Sequence, residues 1–188
     1  TADTRDPGRE AAHLRFSAEI FPQLEEQGVR LARRLVATGF TRPDLEVVLR
    51  RFRSGIEIFR EENLPLFSEL EELSASYQRL TGGITVEWEG ETRTLPQLGP
   101  FLKSPDRAVR ERAFRAMGAP YVAMRDQRAG LFDEMYSRRQ RVARNAGFAD
   151  FEAYSFAAKC RFDYTPDDVT RFHEAAKAEV VPAVARIL

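Results

Sequence analysis

Ser104 to Gly147 reads S-P-D-R-A-V-R-E-R-A-F-R-A-M-G-A-P-Y-V-A-M-R-D-Q-R-A-G-L-F-D-E-M-Y-S-R-R-Q-R-V-A-R-N-A-G. Its start predicts a helix. Ser104 suits an N-cap, and Pro105 suits the first helical position, where its missing N–H costs nothing. Asp106 then places negative charge at the positive end of the helix dipole. Gly147 suits a left-handed C-cap, with Arg141 and Arg144 beside the last carbonyls. Unbroken, about 40 residues would span roughly 60 Å. Gly118 and Pro120 predict a kink, because proline removes one intrahelical bond and crowds the preceding turn. Met117, Tyr121, Met124, Leu131, Met135, Val142 and Ala146 follow the helical period. Val122, Phe132 and Tyr136 widen the apolar face beyond one stripe, so more than one side needs covering.

The residues before this stretch also read as helices. The spacing predicts helices over about 10–38, 43–62 and 64–81. In the first, Leu14, Phe21, Leu24, Gly28, Leu31 and Leu35 share a face, and Pro22 predicts a kink or the true start. Thr41 caps the second, with Pro43 and Asp44 in its first turn. The third carries Leu66, Leu70, Leu73, Tyr77 and Leu80. Period two then takes over, with Ile84, Val86 and Trp88 alternating with Thr85, Glu87 and Glu89. Gly90 supplies a tight turn, giving a hairpin over 84–94. Two strands alone are marginal, so the hairpin must lie against helices or find other strands. A short helix over 96–102 leads into the long one over 105–146. Helices follow over about 150–160 and 166–187, the last opened by Thr165-Pro166-Asp167-Asp168 and disturbed by Pro182. The fold class is mainly α, a multi-helix bundle with long kinked helices and one hairpin. No repeat, low-complexity tract or linker divides residues 1–188, which read as one segment.

The chain has 188 residues, 43% hydrophobic and 31% charged, in the range of a globular helical protein. Its 29 basic and 29 acidic residues cancel, which gives no electrostatic reason to expect nucleic acid or an anionic membrane. No run approaches the roughly 20 apolar residues of a membrane span. The start, T-A-D-T-R-D-P-G-R-E, has no apolar secretory core and no initiator methionine, which points to a processed or internal start. The lone Cys160 cannot form an internal disulfide and reads as a quiet, half-buried thiol in a reducing cytoplasm. The end at Arg186-Ile187-Leu188 falls mid-pattern, without a C-cap, and reads as truncation.

Each candidate for chemistry has a plain structural reading beside it. His173-Glu174-Ala175-Ala176-Lys177 misses the zinc motif H-E-x-x-H at its last position. A lysine ammonium has no lone pair to offer a metal, so ordinary helix surface is the better reading. Glu10-Ala11-Ala12-His13 is half of a di-iron bundle site, a chemistry that needs the motif twice. The chain has only two histidines, so a solvated helix is favoured and bound iron is not expected. Glu61-Glu62 and Glu71-Glu72 are adjacent on helices and point apart, which suits solvated faces better than an acid/base pair. Phe151, Tyr154, Phe156, Phe162 and Tyr164 suit a peptide cleft, but core packing is the stronger reading. Composition and spacing alone assign no activity.

Three stretches together resemble a known family. The first runs from Phe59-Arg60-Glu61-Glu62-Asn63 through Tyr77 to Gly82. The second holds Thr85-Val86-Glu87-Trp88-Glu89-Gly90-Glu91, Thr94-Leu95-Pro96-Gln97-Leu98, and Lys103-Ser104-Pro105-Asp106-Arg107 to Arg115. The third holds Arg144-Asn145-Ala146-Gly147-Phe148, Tyr154, and Arg161-Phe162-Asp163-Tyr164-Thr165-Pro166-Asp167-Asp168-Val169, ending in Val181-Pro182. These are similar to the N-terminal portion of the oligoendopeptidase F family, zinc metallopeptidases related to thimet oligopeptidase. The resemblance implies a larger helical enzyme whose two halves enclose a channel that admits short, flexible peptides. It also implies that the H-E-x-x-H motif, its downstream glutamate ligand and the carbonyl-binding residues lie in a C-terminal half that this sequence lacks. No catalytic residue and no metal ligand carries over. Tyr154, Arg161 and Tyr164 are the implied substrate-channel contacts, because the third stretch leads towards the catalytic half.

The expectation is therefore a wall and lid segment of a cytoplasmic zinc oligoendopeptidase, without cofactor or peptidase activity alone. Its partners would be short peptides and the missing catalytic half, with neither nucleic acid nor membrane. The over-wide helix face and the end at Leu188 predict self-association. The competing reading is a stand-alone, non-enzymatic helical adaptor that binds peptides or a partner helix.

Overall fold

Two prolines shape the first and last helices of the chain. The computed structural model describes residues 6–187. Helix α1 (Pro7–Arg15) is capped by Asp6, whose carboxylate accepts from the Gly8 N–H at 2.9 Å and the Arg9 N–H at 3.2 Å. The chain then widens into a π turn over Phe16–Ile20, closed by the Phe21 N–H on the Phe16 carbonyl, and continues as α2 (Phe21–Ala37). Pro22 explains the widening. It has no N–H, and its ring crowds the carbonyl four residues back, so the helix takes in one extra residue ahead of it. The same device recurs near the other end. Helix α9 (Pro166–Ala175) passes through a π turn over Ala176–Val180, and the Val181 N–H reaches the Ala176 carbonyl just before Pro182. The two sites share a local pattern, Ala18-Glu19-Ile20-Phe21-Pro22 and Ala178-Glu179-Val180-Val181-Pro182.

The remaining elements follow in order. They are α3 (Glu46–Ile58), α4 (Leu64–Gly82), β1 (Thr85–Trp88), β2 (Glu91–Thr94), α5 (Leu95–Leu98), α6 (Arg107–Ala123), α7 (Arg125–Asn145), α8 (Phe151–Ala158) and α10 (Val181–Ile187), the last following α9. They form two compact units. One holds the residues up to Phe21 with Pro65–Arg138, and the other holds Pro22–Leu64 with the residues from Arg139 on.

In the first unit, polar contacts join α1 and α4. Glu10 pairs with Arg79, His13 lies 3.4 Å from Glu71, and Ser68 Oγ donates to the Ser17 carbonyl at 3.0 Å. The strands pair antiparallel, Thr85 with Thr94 and Trp88 with Glu91. Glu89 at φ +54° and Gly90 at φ +85° make the two-residue turn between them. The hairpin leans on helices. Trp88 packs with the fully buried Leu98 and Ala113 and tilts against Phe101 at 4.9 Å.

The long helical stretch differs from its sequence reading at two places. Asp106, not Ser104, caps α6, accepting from the Ala108 N–H at 2.8 Å. Asp106 is itself extended, at φ −73°, ψ 117°, so the helix begins at Arg107 and Pro105 lies ahead of it. Ser104 Oγ instead accepts from the Asp106 N–H at 3.2 Å. The interruption near Pro120 falls at Met124, between α6 and α7, where φ −95°, ψ 11° departs from the helix.

In the second unit, α3 and α8 are tied by Ser54 Oγ donating to the Ala157 carbonyl at 2.9 Å. Phe59 turns extended at φ −68°, ψ 129° and ends α3 short of the expected residue 62. A 3₁₀ turn over Glu61–Asn63 follows and places Asn63 inside, 1% exposed. Along α2 the expected apolar face is largely open, with Leu24 57% and Leu31 64% exposed, whereas Ala32 is buried. The inserted residue rotates α2 by about 100° relative to α1, so the face shared by Leu24, Leu31 and Leu35 no longer continues that of Leu14. Along α9 and α10, Phe172, Val180, Val181 and Ile187 are all exposed.

Candidate functional site

The second unit builds its most distinctive surface where α8 ends. Asp150 starts the helix by accepting from the Ala153 N–H at 2.9 Å. Its end is a Schellman closure: the Arg161 N–H reaches the Phe156 carbonyl and the Cys160 N–H reaches the Ala157 carbonyl, each at 3.0 Å. Cys160 occupies the left-handed position at φ +52°, where glycine is usual. The α7 end closes in the same way. There Gly147 holds φ +87° and the Phe148 N–H reaches the Ala143 carbonyl.

Just past this turn lies a cleft of about 550 Å³. Arg50 and Arg51 enter it from α3, and Lys159, Cys160, Phe162 and Asp163 enter from the end of α8 and the loop after it. The Arg50 guanidinium lies over the Phe162 ring, 4.4 Å from its centroid. Three cations therefore face one carboxylate around a partly apolar floor.

Of the sequence-predicted contacts, Arg161 and Tyr164 come together. The Arg161 guanidinium sits 4.8 Å from the Phe156 ring and 5.7 Å from that of Tyr164, and Tyr164 meets Phe156 edge-on. Tyr164 is 43% exposed, so this cluster is open to solvent. Tyr154 belongs to a different aromatic group. It is 7% exposed, edge-on to Phe148 and stacked on Phe151, each at 5.7 Å. Burial, with the Glu25 charge second, pushes its hydroxyl above the usual tyrosine range. Its surroundings are those of a core side chain.

The other motifs resolve by position. His173 is exposed on α9, beside Phe172. Glu10 and His13 are taken up by Arg79 and Glu71. Glu61 and Glu62 are exposed on their 3₁₀ turn, and Glu71 and Glu72 are exposed on α4. Among the described residues no three His, Cys, Asp or Glu side chains are grouped to hold a metal ion. No helix among them is long and apolar enough to cross a membrane.

Sequence reading missed Arg50, Arg51 and Lys159. The signal present was weak: Arg50-Arg51-Phe52-Arg53 reads as a solvated basic run, and no spacing links it to a lysine more than a hundred residues later.

Comparison with known proteins identifies the fold. Residues 101–188 match the sequence profile of peptidase family M3. Through these residues the chain is similar to peptidase family M3. The matched segment begins within the helical turn Gly99–Lys103 before α6 and includes Tyr154, Arg161 and Tyr164. Arg50 and Arg51 precede it. The fold extends the likeness over almost the whole chain. A solved structure described as oligoendopeptidase F superposes with a TM-score of 0.90 at 28% identity, covering 98% of this chain and 33% of its own. A PZ peptidase A with an inhibitor matches with a TM-score of 0.90 at 25% identity, covering 98% of this chain and 34% of its own. An oligoendopeptidase F from Bacillus anthracis str. Ames shares the fold, with a TM-score of 0.88 at 23% identity and the same coverage of 98% and 34%. This chain thus spans about a third of the length of the structures it matches. No curated protein matches it in sequence.

Proposed function

We propose that this chain is the N-terminal wall and lid segment of a zinc-dependent oligoendopeptidase that hydrolyses short peptides. The observation that carries this reading is the superposition of 98% of the chain on about a third of an oligoendopeptidase F, joined to the M3 profile over residues 101–188. A zinc site does not fit the residues present. The two histidines are His13 and His173, the latter followed at the fourth position by Lys177, and no donor cluster exists among the described residues. No chemical step is therefore assigned to this chain. Its part is to bind and orient peptide and to exclude folded substrates, while the remainder of the complete enzyme holds the metal. That remainder is the partner we infer for the exposed apolar side chains of α9 and α10. A cytoplasmic location belongs to the same reading and is supported by the single cysteine.

The test is twofold. An in-frame H-E-x-x-H in the gene after residue 188 supports the reading, and its absence favours a non-enzymatic peptide-binding module. The chain alone, assayed on an internally quenched peptide with added zinc, should give no turnover. Turnover together with stoichiometric bound zinc overturns the division of labour.

A further inference from the structure

We propose that the cleft at the end of α8 binds the carboxylates of acidic peptides, so that this segment selects peptides carrying negative charge. The inference rests on the peptide-cleaving reading above and adds a substrate class to it. Arg50, Arg51 and Lys159 line one cavity against a single carboxylate, Asp163. None of the three cations has a carboxylate within ion-pair distance among the described residues, unlike Arg42 with Asp44 or Arg138 with Glu69. Phe162 lies beneath the Arg50 guanidinium at 4.4 Å, which holds the fork flat and shields one side from water. A charged fork held this way forms strong paired hydrogen bonds to a carboxylate.

One objection is the helix end. The carbonyls that close α8 carry partial negative charge, which opposes an anion. Here three of them already accept hydrogen bonds. The Ser155 carbonyl accepts from the Lys159 N–H, the Phe156 carbonyl from the Arg161 N–H, and the Ala157 carbonyl from both the Cys160 N–H and Ser54 Oγ. Three cations against one carboxylate then outweigh the remaining partial charge of the helix end. Size argues for a peptide over a small ion. A volume of about 550 Å³ lies within the range of organic ligand sites, and Phe162 and Val47 offer apolar surface for a neighbouring side chain.

Cys160 lines the cleft and is the only cysteine, so its alkylation rate reports occupancy in the unmodified 188-residue chain. The experiment measures that rate with iodoacetamide, and in parallel the anisotropy of a labelled peptide rich in Glu and Asp. The Gln/Asn and Lys versions of the peptide, and inorganic phosphate, serve as competitors. The acidic peptide should protect Cys160 and bind about tenfold or more tightly than the Gln/Asn version. Lys159→Gln and Arg50→Gln should each weaken binding about three- to tenfold, with circular dichroism unchanged. Equal binding of acidic and neutral peptides, indifferent to both substitutions, overturns the selectivity and leaves the peptide-cleaving reading intact. Displacement by millimolar phosphate as effectively as by the acidic peptide reassigns the cleft to small anions and overturns the proposal. Failure to bind any of the peptides overturns both the proposal and this segment's role as a peptide-binding wall.

Discussion

Asn63 and Asn145 meet side chain to side chain, Asn145 Nδ2 donating to Asn63 Oδ1 at 2.8 Å. The other end of the Asn63 amide donates to the Val142 carbonyl at 3.0 Å, and Arg60 adds a bond to the Ala146 carbonyl at 3.2 Å. The 3₁₀ turn before α4 thus completes the hydrogen bonding of the last turn of α7. Asn63→Ala should destabilise the protein by about 2–3 kcal/mol, because it empties a packed site and leaves buried polar atoms unpaired. Urea unfolding followed by circular dichroism measures the loss. A midpoint equal to that of the parent protein would show that water replaces the amide without cost.

The two left-handed closures give an opposed pair of substitutions. Gly147→Ala should destabilise by about 1–2 kcal/mol, since a Cβ there meets no neighbour and only the backbone conformation is penalised. Cys160→Gly should relieve a similar strain and raise stability by about 0.5–1 kcal/mol after the lost side-chain packing is counted. Thermal midpoints of the two variants should therefore move in opposite directions.

Asp168 closes the start of α9, accepting from the Thr165 N–H at 2.7 Å while its own N–H donates to Thr165 Oγ1 at 3.3 Å. These Thr165 bonds are the main reason its carboxyl lies below the usual range, with Arg171 contributing less. A lowered folded value means that the carboxylate stabilises the fold above its unfolded value of about 4, and that this contribution disappears as pH falls through the folded value. Asp168→Asn should thus lower stability at neutral pH and converge with the parent protein in acid. Unfolding measured at neutral pH and in acid makes the comparison. A constant offset at all pH values would exclude charge as the cause.

Tyr154 responds at the other end of the scale. Its hydroxyl is raised by burial and by Glu25, so the unfolded chain ionises first, near pH 10. Stability from this group is complete below that value and is lost as pH rises towards the folded value. Tyr154→Phe should flatten the alkaline limb of the stability profile and change little near neutrality. An unchanged alkaline limb would mean that another group controls it.

The exposed face of α9 and α10 carries the last prediction. Phe172 is 70% and Ile187 84% exposed. Sedimentation at rising concentration should show self-association, and Phe172→Glu with Ile187→Glu should reduce it several-fold. A monomer at every concentration would count against an adhesive face.

Much of this architecture could be read from residues alone, wherever the signal is local. Thr165-Pro166-Asp167-Asp168 opens α9, and the alternation around Gly90 gives the hairpin. The reading failed where proline acts on its neighbours. Pro22 shifted the phase of α2 relative to α1. Ser104-Pro105 offered a cap that the chain does not use, since α6 starts only after Asp106. It also failed where meaning depends on distant partners. Asn63 reads as punctuation until Val142 and Asn145 are beside it. Arg50, Arg51 and Lys159 read as separate surface charges until the fold places them around one cavity.

The paired π turns have a practical corollary for sequence comparison. Each inserts a single position without interrupting its helix, so an alignment drawn without a gap against a relative lacking Pro22 or Pro182 stays visually continuous while its inward and outward positions fall out of phase. Residue-by-residue transfer of roles downstream of Phe16 or Ala176 therefore needs a one-residue offset at those points.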